Sequence, residues 1–405
     1  MAYFFILLAI GQQYLDETHA RSEVPGISYF NTSTRLMDTQ SEEPTIQKIQ
    51  TLLLVGFYQQ GLNRSITAFT HYGCAVRMSL AMGLHRRMKS LPLEEQEQRR
   101  RLWWTCFCMD TVWTAKLGQP VHVEMADITV DTSELITLND GFNSEILRAN
   151  VQLAVITGDI MKTIYRPTVK KTIDDLLSAL RKLGSFQKNL PPRLKSSIIV
   201  HNDRTVANLY LRLNQIVIIT IRPLVLSVFI GQQDTNDNST EITQAIKRCV
   251  GAACANINIL FHLKEVGMFS KFGFWDVRYL FSSLLVLYMS STDKNLIPGG
   301  RDLNRLMSEA GNFTAIENEI RLRELDSLFE KFRDEAETEA KLYQHSDAIS
   351  PNTILLNEIS NIFTTQEETD DEFLDFIRPF SKEVSPEVWK NLTTNLQSWD
   401  STGYV

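Results

Sequence analysis

Apolar residues recur along this chain every three or four positions and almost nowhere every second one. Gln47–Gln60 places Ile49, Leu52, Leu53, Val55 and Phe57 at that spacing. Ile66–Leu84 does the same with Phe69, Tyr72, Val76, Leu80 and Leu84, and Arg204–Ile221 with Val206, Leu209, Tyr210, Leu213, Val217 and Ile221. An i, i+3, i+4, i+7 pattern buries one face of a helix, whereas a half-buried strand needs period two. With 18 glycines and 12 prolines in 405 residues, little interrupts these runs. The breaks fall at Glu42-Glu43-Pro44, Ser90-Leu91-Pro92, Gly118-Gln119-Pro120, Asn189-Leu190-Pro191-Pro192 and Pro298-Gly299-Gly300. The expected fold class is all-α: a large multi-helix bundle with a looser C-terminal tail.

Charge and cysteine use narrow the function classes. The chain is 43% hydrophobic, enough for a large core, and carries a net charge of -7. An acidic chain does not bind a phosphate backbone through its overall field; a local basic patch is needed. Five cysteines (Cys74, Cys106, Cys108, Cys249 and Cys254) are too few and too scattered for a disulfide scaffold. They read as small core residues. The apolar run Ala2–Ile10 is too short to span a bilayer, and no basic residue precedes it. It reads as a core helix whose true start lies upstream of Met1. Signatures of metalloprotease, hydrolase, dinucleotide and P-loop chemistry are missing. His122-Val123-Glu124 matches a deaminase H-x-E only as three letters, with no P-C-x-x-C after it.

The stretch RRRLWWTCFCMD (Arg99–Asp110) joins a charged turn to a run of large apolar groups. Pro92, Glu94 and Glu95 start a helix that runs to about Lys116. Trp103, Trp104, Phe107 and Cys108 require burial over most of its circumference. Only the first turn, with Glu95, Glu97, Arg99 and Arg100, is expected to stay in water. Asp110 falls in the buried half and needs a partner, for which Arg77 or Arg86 is the expected candidate. The arginines read as an ion-paired or solvated helix start rather than a phosphate patch. His85, after Gly83-Leu84 at a helix end, is placed to meet terminal carbonyls, with a ligand or metal role as the alternative.

YGCAVRMSLAMGLHRR (Tyr72–Arg87), followed by R-R-R-L-W-W, Asp110 and Gly118-Gln119-Pro120, resembles the signature of the fungal-specific transcription factor domain. This is the middle homology region of fungal binuclear zinc-cluster transcription factors. The residues that carry the resemblance include Arg77, Gly83, Leu84, His85, Arg100, Arg101, Trp103, Trp104, Asp110, Gly118 and Pro120. Arg222 and Pro223 resemble the family stretch that ends a long helix. Two positions depart from the pattern: Gln119 stands where the family usually has arginine, and no proline follows the acidic-aliphatic pair Asp127-Ile128.

The resemblance implies a regulatory domain over residues 1–300, in a nuclear protein acting on RNA polymerase II transcription, often of metabolic or secondary-metabolite genes. Residues 301–345 follow as a charged amphipathic segment with Leu325, Leu328, Phe329 and Phe332 on its stripe. That segment docks on the body or forms a coiled-coil dimer seam. Residues 346–405 form an acidic and aromatic tail. There Phe373, Leu374, Phe376 and Ile377 are set among acids, as in segments that fold on a coactivator; a short helix packed on the body is the alternative.

The family's zinc cluster uses closely spaced C-x-x-C units, and this sequence has none. No residue here is read as catalytic, metal-binding or DNA-binding. Zinc and DNA contact are expected only from a missing N-terminal cluster or a partner factor. One alternative is a cluster-less module that acts through a homo- or heterodimeric partner or a small effector. A remote one is a secreted helical enzyme, supported only by the apolar N-terminus and five N-x-S/T sequons. No membrane partner is expected.

Overall fold

The computed structural model describes residues 1–15, 24–37, 43–138, 140–165, 173–195, 203–229, 239–269 and 273–290. The segments at 301–345 and 346–405, with Phe373, Leu374, Phe376 and Ile377, lie outside the described residues. Among the described residues the chain is helical, with no strand. The helices are α1 Ala2–Leu15, α2 Ile27–Leu36, α3 Ile46–Gly61, α4 Ser65–Ala81, α5 Leu93–Lys116, α6 Ser144–Ile164, α7 Ile173–Asn189, the single turn α8 Pro192–Lys195, α9 Arg204–Phe229, α10 Ser239–Glu265 and α11 Phe274–Ser290. No helix among them is long and apolar enough to cross a membrane.

Two large cores share one wall. α6 carries Leu147, Val151 and Ala154 on one stripe and Ala149, Leu153, Ile160 and Ile164 on another. The first stripe closes a core with α3, α4 and α5; the second closes a core with α7, α9, α10 and α11. α9 is buried almost all round, as a helix at the centre of a bundle must be. A smaller cluster joins α4 and α5 to α11, where Trp113 of α5 stacks on Phe274 of α11 beside Tyr72 of α4. Helix starts are fixed locally: Thr45 accepts from Lys48 N, and Asn143 from Glu145 N and Ile146 N.

Two expectations change here. α1 is a half-buried helix rather than a core one. Ile6 and Ala9 pack against α2 and α3, while Phe4, Leu7, Leu8 and Leu15 are exposed. Among the described residues α2 and α3 are the helices that pack most closely on it, and they cover one face of an all-round apolar sequence. Pro223 does not end its helix. It lies inside α9, which continues to Phe229. Proline has no N–H to give the carbonyl four residues back. Tyr165, at the end of α6, donates its hydroxyl to that Ile219 carbonyl at 2.6 Å, and the helix runs on.

Candidate functional site

The residues singled out in the sequence meet around α4, α5 and the loop that returns from α5 to α6. α4 is closed just past Ala81 by Gly83, in the left-handed region at φ +67. There Gly83 N–H donates to Leu80 O at 2.9 Å and Leu84 N–H to Ser79 O at 3.0 Å. This paired closure satisfies the last helical carbonyls and favours glycine, because a Cβ is strained at that φ. α5 ends the same way at Gly118 (φ +64), with Gln119 N–H donating to Thr114 O at 2.9 Å. The two signature glycines are thus both helix stops. Gln119 is exposed and donates to Leu117 O at 3.4 Å, and Pro120 is exposed beside it.

Between these stops the arginines form a clamp. Glu97 is completely buried. It accepts from Arg100 Nη1 at 3.0 Å, Arg101 Nε at 2.9 Å and the Ile136 amide at 3.3 Å. Arg100 also donates to Glu134 O at 2.9 Å and to Gln96 Oε1 at 3.0 Å. Arg101 also donates to Asp140 and to Ile136 O at 3.2 Å, and lies 4.1 Å over the Phe142 ring. From α6, Arg148 donates to Thr132 O at 3.2 Å and Leu135 O at 3.0 Å. Three guanidiniums therefore hold the backbone of residues 132–136. The Arg101 hydrogen bond keeps the Asp140 carboxyl below its ordinary range. Arg87 pairs with Glu134, and the His85 carbonyl accepts from Thr129 N at 3.0 Å and Val130 N at 3.3 Å.

This corrects the expected exposure of the first turn. Glu97 and Arg100 are buried, because the returning loop folds over them and supplies partners. It also fixes what the arginines can do. A guanidinium reads phosphate with a free fork of donors, and those of Arg100 and Arg101 are committed to the protein itself.

Under the clamp lies an aromatic layer. Trp103 and Trp104 are buried, 6.5 Å apart, with His85 at 5.6 Å from Trp103 and Phe107 at 5.6 Å from Trp104. His85 does not meet helix carbonyls through its ring. Its Nε2 accepts from Arg86 Nε at 3.2 Å, and its Nδ1 is buried with no hydrogen-bond partner among the described residues. Burial, then the neighbouring Arg86, lower its pKa and favour the neutral ring.

Asp110 is 3% exposed, and its partner is His122, not Arg77 or Arg86. His122 Nδ1 stands 2.9 and 3.2 Å from the two carboxylate oxygens, and its ring stacks on Phe69. The Gly118-Gln119-Pro120 turn reverses the chain and brings this histidine back. Burial raises the Asp110 pKa against the opposing pull of His122 and the more distant charge of Arg77. Sequence reading set His122 aside as a chance motif, and no local signal marks it. Arg222 lies on α9 close enough to influence Cys249, next to the Pro223 position already described.

The cysteines do not fit a zinc cluster. Cys106, Cys108 and Cys249 are buried, and burial pushes each thiol up to about 12. Zinc needs convergent thiolates, and no group of three metal-ligating side chains occurs among the described residues. Among the described residues the geometry is that of a packed frame closed by an internal ion network.

A family model described as "Fungal specific transcription factor domain" matches residues 2–216. An uncharacterized transcriptional regulatory protein of Schizosaccharomyces pombe is 26% identical over 278 residues, covering 65% of this chain and 35% of the relative. The thiamine repressible genes regulatory protein of the same organism is 23% identical over 312 residues, covering 70% and 39%. The fusaridione A cluster transcription factor of Fusarium heterosporum is 22% identical over 298 residues, covering 69% and 57%. The chain spans well under half the length of the first two. No solved structure matches.

Proposed function

The chain belongs to the family of the fungal specific transcription factor domain, and from that premise we propose that it is the helical regulatory region of a fungal zinc-cluster transcription factor. It acts in the nucleus on transcription by RNA polymerase II. The observation that carries this reading is the match over residues 2–216, which contains the whole arginine clamp and its aromatic layer. Relatives named for thiamine-repressible genes and for a fusaridione A cluster favour metabolic or secondary-metabolite genes as targets. The role is regulatory rather than catalytic. Residues 1–300 form the regulatory body, 301–345 a charged helical segment, and 346–405 a tail through which Phe373, Leu374, Phe376 and Ile377 engage coactivators.

The sequence has no C-x-x-C and its buried cysteines are protonated, which favours DNA contact through residues or partners beyond this chain. The same observation supports a second reading: a module that regulates through a dimeric partner factor or a small effector.

Fusing the chain to a heterologous DNA-binding domain upstream of a reporter tests the regulatory role. Reporter output several-fold away from that of the DNA-binding domain alone is expected, with the change reduced when the four tail apolar residues are replaced by alanine. Output equal to the DNA-binding domain alone overturns the reading. Sequence-specific binding of promoter DNA by the purified chain without a partner overturns the placement of DNA contact outside it.

A further inference from the structure

The net charge of -7 is unevenly divided. Residues 1–290 carry 30 basic and 25 acidic side chains, and residues 291–405 carry 11 and 23. The body is therefore +5 and the remainder -12. Within the body the basic excess is local: residues 160–200 hold nine basic residues and two acidic ones.

Part of that excess forms a ridge. Arg181, Gly184 and Lys188 lie at i, i+3 and i+7 on α7 and share a face. Arg181 and Lys188 are exposed. Arg248 reaches over from α10 and lays its guanidinium on Gly184: a Cβ there would stand 3.1 Å from Nη2 and 3.8 Å from Nη1. The glycine lets a third cation settle between the other two. Arg193 and Lys195 of α8 continue the basic surface, both exposed. None of Arg181, Lys188 and Arg248 forms an ion pair among the described residues. The neighbouring Lys182 is already taken by Asp159 at 3.0 Å, and Asp174 and Asp175 sit at the far end of α7. Like charges gathered this closely repel, and an anion laid along them relieves the repulsion.

We propose that this ridge is the docking surface for the acidic segment Thr365–Phe380 of the same chain. That segment carries Glu367, Glu368, Asp370, Asp371, Glu372 and Asp375 against Arg378 alone. Its charge of -5 is the densest acidic run in the chain, and the ridge is its complement. With residues 301–345 counted as helix at about 1.5 Å per residue and the rest as extended chain at about 3.3 Å, the 74 residues between Ser290 and Thr365 reach at most about 160 Å, against a radius of about 20 Å for a body of this size. Tether length is therefore no obstacle. A tethered segment acts at an effective concentration in the millimolar range, where exposed ion pairs of modest strength suffice. A nucleic acid is the less favoured occupant, because a chain of net charge -7 repels it at long range. Docking rests on charge and placement alone, independent of the regulatory reading.

Carbodiimide treatment of the full chain, followed by mass spectrometry, joins carboxylates to lysines that touch them. Amide cross-links from residues 367–375 to Lys188 or Lys195 are expected at low salt. They should disappear at about 0.5 M salt, where the Debye length falls to a few ångströms. R181E/R248E changes two exposed positions and is expected to melt as wild type does while losing the cross-links roughly tenfold. Failure of residues 367–375 to reach either lysine at low salt overturns the proposal. So do cross-links that join labelled to unlabelled chains in an isotope-mixed sample, since a second copy would then supply the segment. Duplex DNA that binds wild type but not R181E/R248E, with no 367–375 cross-link, would assign the ridge to nucleic acid instead.

Discussion

Glu97→Ala removes the centre of the clamp and leaves everything around it in place. The carboxylate has no solvent exposure and accepts three hydrogen bonds, from Arg100, Arg101 and the Ile136 amide. Without it, two guanidiniums that are 11% and 14% exposed lose their shared counter-charge. Removing one partner of a buried pair costs about 3–5 kcal/mol. Arg100 keeps the Glu134 carbonyl and Gln96, and Arg101 keeps Asp140 and the Ile136 carbonyl. The lower end, about 3 kcal/mol, is therefore expected. An unfolding entropy near 2.1 cal/mol/K per residue gives roughly 0.6 kcal/mol/K for a body of about 290 residues. Tm should then fall by about 5 °C. Glu97→Gln retains an acceptor of the same shape and should lose about half as much. Thermal unfolding of the full chain, followed by the fluorescence of buried Trp103, Trp104 and Trp113, reads both variants. A Glu97→Ala chain within about 1 °C of wild type refutes the reasoning. Desolvation would then balance attraction, and the clamp would serve to choose one loop conformation without adding stability.

Tyr165→Phe should destabilise by about 1–2 kcal/mol, because it strands the Ile219 carbonyl that Pro223 cannot satisfy. In that background Pro223→Ala supplies the missing N–H, so a double-mutant cycle by urea unfolding should show coupling; strict additivity would exclude the compensation. His85 has a folded pKa below its unfolded value of 6.5. Its contribution is fully present above about pH 6.5 and is lost as pH falls toward the folded value. His85→Leu should flatten the dependence of Tm on pH between about 7.5 and 5.5, and an unchanged slope would show that another group titrates.

The fold was legible where its causes are local. Periodicity placed a helix over Gln47–Gln60 where α3 spans Ile46–Gly61, and the stop signals at Pro92 and Gly118 bracket α5. The continuation of α9 through Pro223 was not, and for a physical reason. Proline's lost hydrogen bond is a local fact, but the hydroxyl that repairs it comes from another helix, at Tyr165. The exposed face of α1 was hidden for a related cause. An apolar helix records what it could bury, whereas how much it does bury depends on how many neighbours the topology brings.

At the site, the tryptophans and glycines signalled a frame, but the burial of Glu97 and the pairing of Asp110 with His122 did not show. Both depend on the loop between α5 and α6. Its apolar anchors, Val123, Val130 and Leu135 buried and Ile128 and Phe142 partly so, follow no period that would reveal which surface it covers. The difference between a phosphate reader and an internal clamp lies in donor accounting. Arg100, Arg101 and Arg148 face a loop whose carbonyls at residues 132, 134, 135 and 136 accept from them, and of these only that of Thr132 also accepts from a backbone N–H among the described residues. A strand or helix would have spent those carbonyls on its own backbone. An irregular loop cannot, so a run of arginines beside buried tryptophans, followed by a long loop without periodicity, points inward. By the same accounting Arg181 and Lys188 of α7, whose donors meet no acceptor among the described residues, point outward.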